Sequence, residues 1–518
     1  MKHYLILIIT IGFFFQCCQK PLEADLLIKG GTLILGDGSE PYEGDVAVAG
    51  DRIIFVGQSQ GMPINAKHTI QATGKIVSPG FIDPHTHSLG DLKKKDKSAN
   101  LNYITQGVTT VMNGNDGEGP FDIAGIEARL MKNGIGTNTA FLVGHGTIRT
   151  AILGKEEVAP SDIELDSMKA LVRQAMKEGA FGLSTGLYYS PGSFADTDEI
   201  ISLAKEVAPF GGLYESHIRD ESSYNIGLLN AVDETIRIGK EAGVPVHFAH
   251  IKALGVDVWG KSKDVISKIE EAQEGGMIIT ADQYPWIASG THLENALINR
   301  WVMAGGEQEY YKRLDDQKLL PRIKSEIKEN IRKRGGKEAL LIIADCEDES
   351  MIGMNLGQVA LRMNLDPVDA ALNIARMGGA RVASYNMTPD DLKNFMRQPW
   401  VMTSSDGTKG HPRKYASFPQ KYEQYVMKEK VLTLEDFVYK CSGLVAETFD
   451  MNRRGKLVQG NFADVIIWDA NNFKSNADFT YPRKLSSGIE HVFVNGIPVL
   501  ANGELTGSLP GKVIKKNE

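Results

Sequence analysis

The sequence predicts an α/β protein: a TIM-like (β/α)8 barrel, a small β-sandwich built from both ends of the chain, and an insertion between barrel strands 7 and 8. Three observations predict it. Between residues 81 and 407, apolar β-rich runs alternate with amphipathic helical stretches, the signal of repeated βα units and a parallel sheet. The segments flanking that region read instead as short alternating strands separated by Gly and Asp turns. Within the central region, titratable side chains gather at the C-terminal ends of the apolar runs, where the active sites of such barrels lie.

Composition sets outer bounds. A chain of 518 residues is too long for one small core and suits a large domain with an accessory one. Hydrophobic residues at 42% and charged residues at 24% are ordinary globular values and remove disordered and fibrous readings. A net charge of -8 argues against a nucleic-acid partner, because phosphate binding relies on an excess of Lys and Arg. No internal repeat of solenoid length is present.

Taken in order, residues 1–18 combine a basic start, an apolar run and the adjacent Cys17 and Cys18. This is the layout of an export signal, and its apolar run is too short to span a bilayer. The cysteines match a loose bacterial lipoprotein cleavage box with Cys18 as the lipidated residue. The expectation is therefore an exported protein of the bacterial envelope, periplasmic and anchored through Cys18. Only Cys346 and Cys441 remain beyond the leader, too few to staple the fold.

Residues 24–78 contain ADLLIKGGTLILGDG, EGDVAVAGDRIIFVG and HTIQATGKIVSPG, the N-terminal part of the β-sandwich. Residues 451–518, with ADVIIWDA and IEHVFVNGIPVLANGEL, have the same texture and supply its C-terminal part. The barrel occupies 79–450. Its eight runs lie at 80–87, 108–116, 139–146, 179–187, 212–218, 244–252, 277–286 and 400–407. The basic stretch Lys93, Lys94, Lys95, Lys97 reads as a solvated loop. The seventh and eighth runs are separated by far more chain than an αβ connection needs, so residues of about 288–398 form a helical insertion beside the site. Within it, RLDDQKLLPRIKSEIKENIRKRGG reads as an amphipathic helix and ALLIIADCED as a strand-like run.

The first run ends in PGFIDPHTHS. Alternate residues of a strand face the same side, so His85 and His87 aim both rings at one point, half of a transition-metal site. Singly, any histidine reads more simply as a satisfied core or surface residue. Here His217 and His250 stand at the ends of two later runs, with Asp116 and Asp406 at the ends of the second and eighth. Four imidazoles with carboxylates suit one or two divalent ions of the zinc type, with an open position for water. A packed barrel interior has no other use for such a ring of ionisable groups.

The elements GFIDPHTH, QGVTTVMNGNDG, GHGTIR, EGAFGLSTGLYYSPGSFADTDE, ESHIRDE, VPVHFAHIKALG, DQYPW, SSDG, HPRKYASFPQ and GNFADVIIWD resemble, in order, those of the N-acyl-D-amino-acid deacylases (D-aminoacylases) of the amidohydrolase superfamily. The resemblance covers nearly all of the chain after the leader. It implies a distorted barrel with a β-sandwich from both termini. It also implies that His217 and His250 hold the tighter metal and that His85 and His87 hold a second position. Many members carry a cysteine at the end of the second strand as bridging ligand; Asp116 stands there in this chain. The fourth run lacks the lysine that bridges metals elsewhere in the superfamily, which leaves Asp116 as bridge. Asp406 is implied as a metal-proximal general base and then acid. Lys252, Tyr284 and Arg413 match positions that bind the substrate α-carboxylate, and Tyr189 matches another substrate-facing position. His145 is also a family position, to which no role attaches.

The expected reaction is metal-dependent hydrolysis of the amide of a small N-acyl-D-amino acid, giving a carboxylate and a free D-amino acid. The D preference comes from the resemblance alone. The alternatives are another amidohydrolase reaction on a cyclic amide or dipeptide, and a non-catalytic metal- or ligand-binding envelope lipoprotein.

Overall fold

The computed structural model describes residues 20–60 and 62–516. The expectations about residues 1–18, Cys17 and Cys18 among them, lie outside the described residues. Eight parallel strands form the barrel: β1 Phe81–Asp83, β2 Val108–Asn113, β3 Asn138–Phe141, β4 Gly182–Gly186, β5 Leu213–His217, β6 Val246–Phe248, β7 Ile279–Gln283 and β8 Val401–Thr403. Each coincides with one of the apolar runs read from the sequence. All are buried along nearly their whole length, so the runs are continuous rather than alternating, as expected of strands covered on both faces.

The ring of ladders is interrupted, which is what distorts the barrel. Strands β1, β2 and β3 form one three-stranded arc. The chain then steps over at Leu142, and Val143–Gly144 pairs with β4 to begin the arc that continues through β5, β6, β7 and β8. Between β8 and β1 no ladder forms. The gap is closed by single hydrogen bonds: Asp406 N–H donates to the His85 carbonyl at 2.9 Å, and Ser405 N–H donates to Asp83 Oδ1 at 3.1 Å. These bonds set Asp406 beside the His85–His87 turn.

Both ends of the chain meet in one nine-stranded sheet. Val465–Trp468 runs antiparallel to Ile76–Pro79, joining C-terminal to N-terminal strands. The long strand Leu22–Leu33 shifts register between Ile28 and Gly31, pairing with Ile64–Gln71 before the shift and with Ile76–Pro79 after it. Alternation divides the side chains of this sheet between two cores. Val77, Val465 and Ile467 join Leu26, Ile28 and Val46 in the sheet's own core, whereas Ile76, Ile466 and Trp468 belong to the barrel core. The sheet is thereby welded to the barrel along one face.

The segment after β7 is mixed rather than helical. Ala288–His292, Leu341–Cys346 and Ala380–Tyr385 form a three-stranded antiparallel sheet, covered by helices that include Leu320–Gly335. Its core of Leu293, Ile327, Leu341, Ile343, Val359 and Val382 is separate from that of the barrel. Of the three strands only Leu341–Cys346 had a strand-like sequence; ASGTH and ARVASY carry too few β-branched or aromatic residues to signal one. Helix Pro389–Met396 packs Leu392, Phe395 and Met396 into the barrel core and is the outer helix leading to β8.

Trp468 is fully buried between sheet and barrel, with its indole N–H donating to Ser78 Oγ at 3.2 Å. Trp468→Ala is expected to lower unfolding free energy by about 3–5 kcal/mol, measured by guanidinium titration. A loss below about 1 kcal/mol would show that this face is not the weld described.

Candidate active site

The strand ends bring His85, His87, Asp116, His217, His250 and Asp406 into one cluster at the C-terminal mouth of the barrel. All but His87 are buried. Three of them hold left-handed backbone: Asp116 at φ 58°, His250 at φ 31° and Asp406 at φ 45°. Non-glycine residues avoid this region, and its occupation by three side chains of one cluster is the kind of strain that persists at functional sites. A close approach fixes Asp116 further. A Cβ at Gly186, the last residue of β4, would lie 2.2 Å from the Asp116 carbonyl oxygen, so only glycine lets the second loop settle there.

The Asp116 carboxylate is the centre of the cluster. Its Oδ1 lies 3.5 Å from His217 Nδ1 and 3.3 Å from His250 Nε2. Its Oδ2 lies 3.5 Å from His85 Nε2 and 3.6 Å from His87 Nε2. Each oxygen therefore faces one histidine pair. Burial would raise the Asp116 carboxyl, but the imidazoles of His85 and His250 hold it well below the usual carboxylate range. Asp406 Oδ1 lies 3.2 Å from His87 Nε2 and 3.8 Å from His85 Nε2. Its Oδ2 pairs with Arg413 Nη1 at 2.8 Å. Burial opposes its ionisation, and Arg413 and His250 outweigh burial, so Asp406 is also held low.

A ring of acids that sequence reasoning missed backs the histidines. Glu221 faces the other nitrogens of the second pair, 3.3 Å from His250 Nδ1 and 3.7 Å from His217 Nε2. Asp282 lies 3.5 Å from His85 Nδ1 and is held by His247 Nε2 at 3.0 Å and by the Ser404 hydroxyl. Glu215 lies 3.8 Å from His85 Nδ1, and burial pushes its carboxyl up to about 8. Burial likewise pushes Asp83 up to about 7. Imidazoles with a carboxylate behind and a carboxylate in front are held in a fixed orientation, as metal-bound histidines are. The only sequence signal for Glu221 was its place four residues after His217 in ESHIRDE. Asp282 sat unremarked in DQYPW.

The remaining expected residues divide. Tyr189, Tyr284 and Arg413 line the space in front of the cluster. Arg413 lies over the Tyr284 ring at 4.5 Å, and the buried Tyr284 hydroxyl has no hydrogen-bond partner. Lys252 lines the same space, yet its ammonium is spent on Glu221 and on His250 Nδ1, the latter at 2.7 Å. It braces the cluster from behind. His145 is at the start of helix His145–Leu153, away from the cluster, with its Nε2 2.8 Å from Glu199 Oε1 in a buried group completed by Arg149.

Two connected spaces open onto the cluster. An outer cavity of about 710 Å³ is walled by the insertion and reaches His87, Asp116 and Asp406. A small inner chamber of about 20 Å³ reaches His217, His250 and Asp406 and shares Tyr189, Gly290 and Thr291 with the outer one. Among the described residues, two groups bring metal-ligand atoms within 4.8 Å of one another: His85, Asp116, His250 and Asp406, and the adjoining His217, Glu221 and His250. Both ring nitrogens of His85 and of His217, and Asp116 Oδ1, are buried without hydrogen-bond partners. Lone pairs left bare in this way fit a cation as the missing partner.

A parallel barrel with a buried imidazole–carboxylate cluster at its C-terminal mouth defines a barrel hydrolase of the metal-binding type. No protein-family model matches the chain. It is 30% identical to the D-aminoacylase of Alcaligenes xylosoxydans xylosoxydans over 95% of its own length and 98% of the relative's. It is 31% identical to the N-acyl-D-aspartate deacylase of the same organism, over 96% of each chain. Among solved structures, N-acyl-D-glutamate deacylase from Bordetella bronchiseptica superposes with a TM-score of 0.81 at 29% identity, over 95% of this chain and 100% of that one. That structure is complexed with zinc and a phosphonate inhibitor mimicking the tetrahedral intermediate of its reaction. The chain belongs to the D-aminoacylase family of amidohydrolases.

Burial would raise Glu199, but His145 and Arg149 hold it below its ordinary value of 4.5. A lowered carboxyl stabilises the fold above its unfolded pKa, and this contribution is lost as pH falls through the lower folded value. Glu199→Gln leaves Arg149 buried and unpaired, and is expected to cost about 3–5 kcal/mol in urea unfolding at neutral pH. A cost below about 1 kcal/mol would show that the group is solvated.

Proposed function

We propose that this chain is a metal-dependent hydrolase of the amide bond of N-acyl-D-amino acids, releasing a carboxylate and a free D-amino acid. The observation that carries the reading is the Asp116 carboxylate with one oxygen toward His217 and His250 and the other toward His85 and His87. One divalent ion, zinc by the donor set, would be held by His217, His250 and Asp116, and a second by His85, His87 and Asp116. Bound there, a divalent ion lowers the pKa of water toward neutrality and polarises the scissile carbonyl.

Asp406 moves the proton. Kept ionised by Arg413 on Oδ2, it presents Oδ1 to the cluster and accepts the proton of the attacking water. Because its carboxyl is held low, it passes that proton on readily to the departing amine nitrogen. Tyr284 and Arg413 close the inner end of the site, Tyr189 lies at the junction of the two spaces, and Lys252 keeps Glu221 and His250 in place. The barrel, residues 79–450, carries the chemistry, with 24–78 and 451–518 as its β-rich base. The basic start, apolar run and cysteines of residues 1–18 support export to the periplasm and a lipid anchor on Cys18.

Assay of purified protein against paired N-acetyl D- and L-amino acids tests the reaction. Release of amine from D substrates is expected, with loss on chelation and recovery on adding zinc; turnover of neither series would contradict it. Asp406→Asn is expected to lower kcat by about 10²–10⁴-fold while metal content stays near that of the parent. Undiminished turnover would remove the base role. Labelled palmitate should enter the expressed parent and not Cys18→Ser, and equal labelling of both would remove the anchor.

A further inference from the structure

The inner chamber holds a charge that the mechanism above does not use. Its cations are Lys252, Arg334 and Arg413, and its carboxylates are Glu221 and Asp406. Lys252 is paired with Glu221 and Arg413 with Asp406. Arg334, from helix Leu320–Gly335 of the insertion, is only 4% exposed and makes no ion pair with any described residue. It donates to neutral hydroxyls: Nε to Ser384 Oγ at 3.1 Å and Nη2 to Ser289 Oγ at 3.2 Å.

A guanidinium cannot shed its proton to escape burial, and an unpaired buried charge is costly. The partner it lacks is an anion. A planar guanidinium is built for the two-point grip of a carboxylate. Beside it, the Tyr284 hydroxyl is buried and unpartnered, free to donate a further hydrogen bond. The two serines that orient the guanidinium stand on Ala288–His292 and Ala380–Tyr385, neighbouring strands of the insertion sheet.

We propose that Arg334 is the substrate-binding residue contributed by the insertion, and that it receives the carboxylate of the N-acyl amino acid. The inference rests on the reaction proposed above. It shifts the carboxylate grip from Lys252, which is already engaged, to a cation with a free charge. Among the charged side chains lining the chamber, Arg334 is the one without a charged partner, and it matches one substrate carboxylate. With that carboxylate in the chamber, the acyl group extends past Asp116 and Asp406 into the outer cavity.

The test compares an N-acetyl-D-amino acid with its carboxamide counterpart, which lacks the anion, in the metal-loaded parent, Arg334→Met and Arg334→Lys. In Arg334→Met the Michaelis constant for the acid is expected to rise about 30-fold or more, the factor for a charge-assisted pair of about 2 kcal/mol, with kcat much less affected. Arg334→Lys should recover part of the loss, and the carboxamide should be handled by Arg334→Met as by the parent. An unchanged Michaelis constant, or equal losses on acid and carboxamide, would overturn the assignment in favour of a packing role. If the parent hydrolyses no N-acyl-D-amino acid, the proposed reaction fails, and the anion site is decided by titration calorimetry with acetate. Binding to the parent that vanishes in Arg334→Met upholds the site; equal binding by both, or none by the parent, overturns it.

Discussion

Four imidazoles, three of them buried, cannot crowd one barrel mouth unless something answers their lone pairs or their charge. The Asp116 carboxylate does so by presenting a different oxygen to each pair. The rest of the site follows from that constraint. Asp116 reaches the centre only because its backbone accepts a left-handed turn and because Gly186 leaves room for its carbonyl. Glu221, Asp282 and Glu215 then stand behind the rings of His217, His250 and His85, so that each of these three imidazoles lies between acids. A carboxylate at this place offers any bound ion a hard oxygen ligand.

The irregularities of the barrel serve the same end. A regular ladder between β8 and β1 would set Asp406 in line with the other strand ends. The single backbone bond from Asp406 to the His85 carbonyl turns it inward instead, where it meets His87 on one oxygen and Arg413 on the other. The nine-stranded sheet holds the opposite side of β1 rigid through Ile76, Ile466 and Trp468. The insertion, with a core of its own, walls the outer cavity and sends Arg334 to the inner one.

Much of this was legible in the sequence. Each barrel strand coincides with an apolar run, because a strand buried on both faces cannot disguise its composition. The histidines and aspartates were legible because they end those runs. What escaped reading depended on contacts between distant segments. Glu221 and Asp282 are ordinary acids until folding sets them behind His250 and His85. Lys252 looked free to bind substrate, and its engagement with Glu221 arises only where the loops after β5 and β6 meet. Two strands of the insertion were hidden by small and polar residues, since antiparallel pairing, of Ala380–Tyr385 with Leu341–Cys346 and of Ala288–His292 with Ala380–Tyr385, supplies what their own composition lacks. Arg334 stood among Arg and Lys residues at the end of a stretch that reads as an amphipathic helix, and its burial is a tertiary fact.

Asp116 would join the two histidine pairs into one metal centre. Anomalous diffraction at the zinc absorption edge, from crystals of protein never exposed to chelator, tests it most directly. The account predicts a peak at zinc-ligand distance, about 2.0–2.2 Å, from Asp116, His217 and His250, with any second peak between Asp116, His85 and His87. A fully ordered cluster with no peak inside it, or metal bound there without contact to Asp116, would contradict the account.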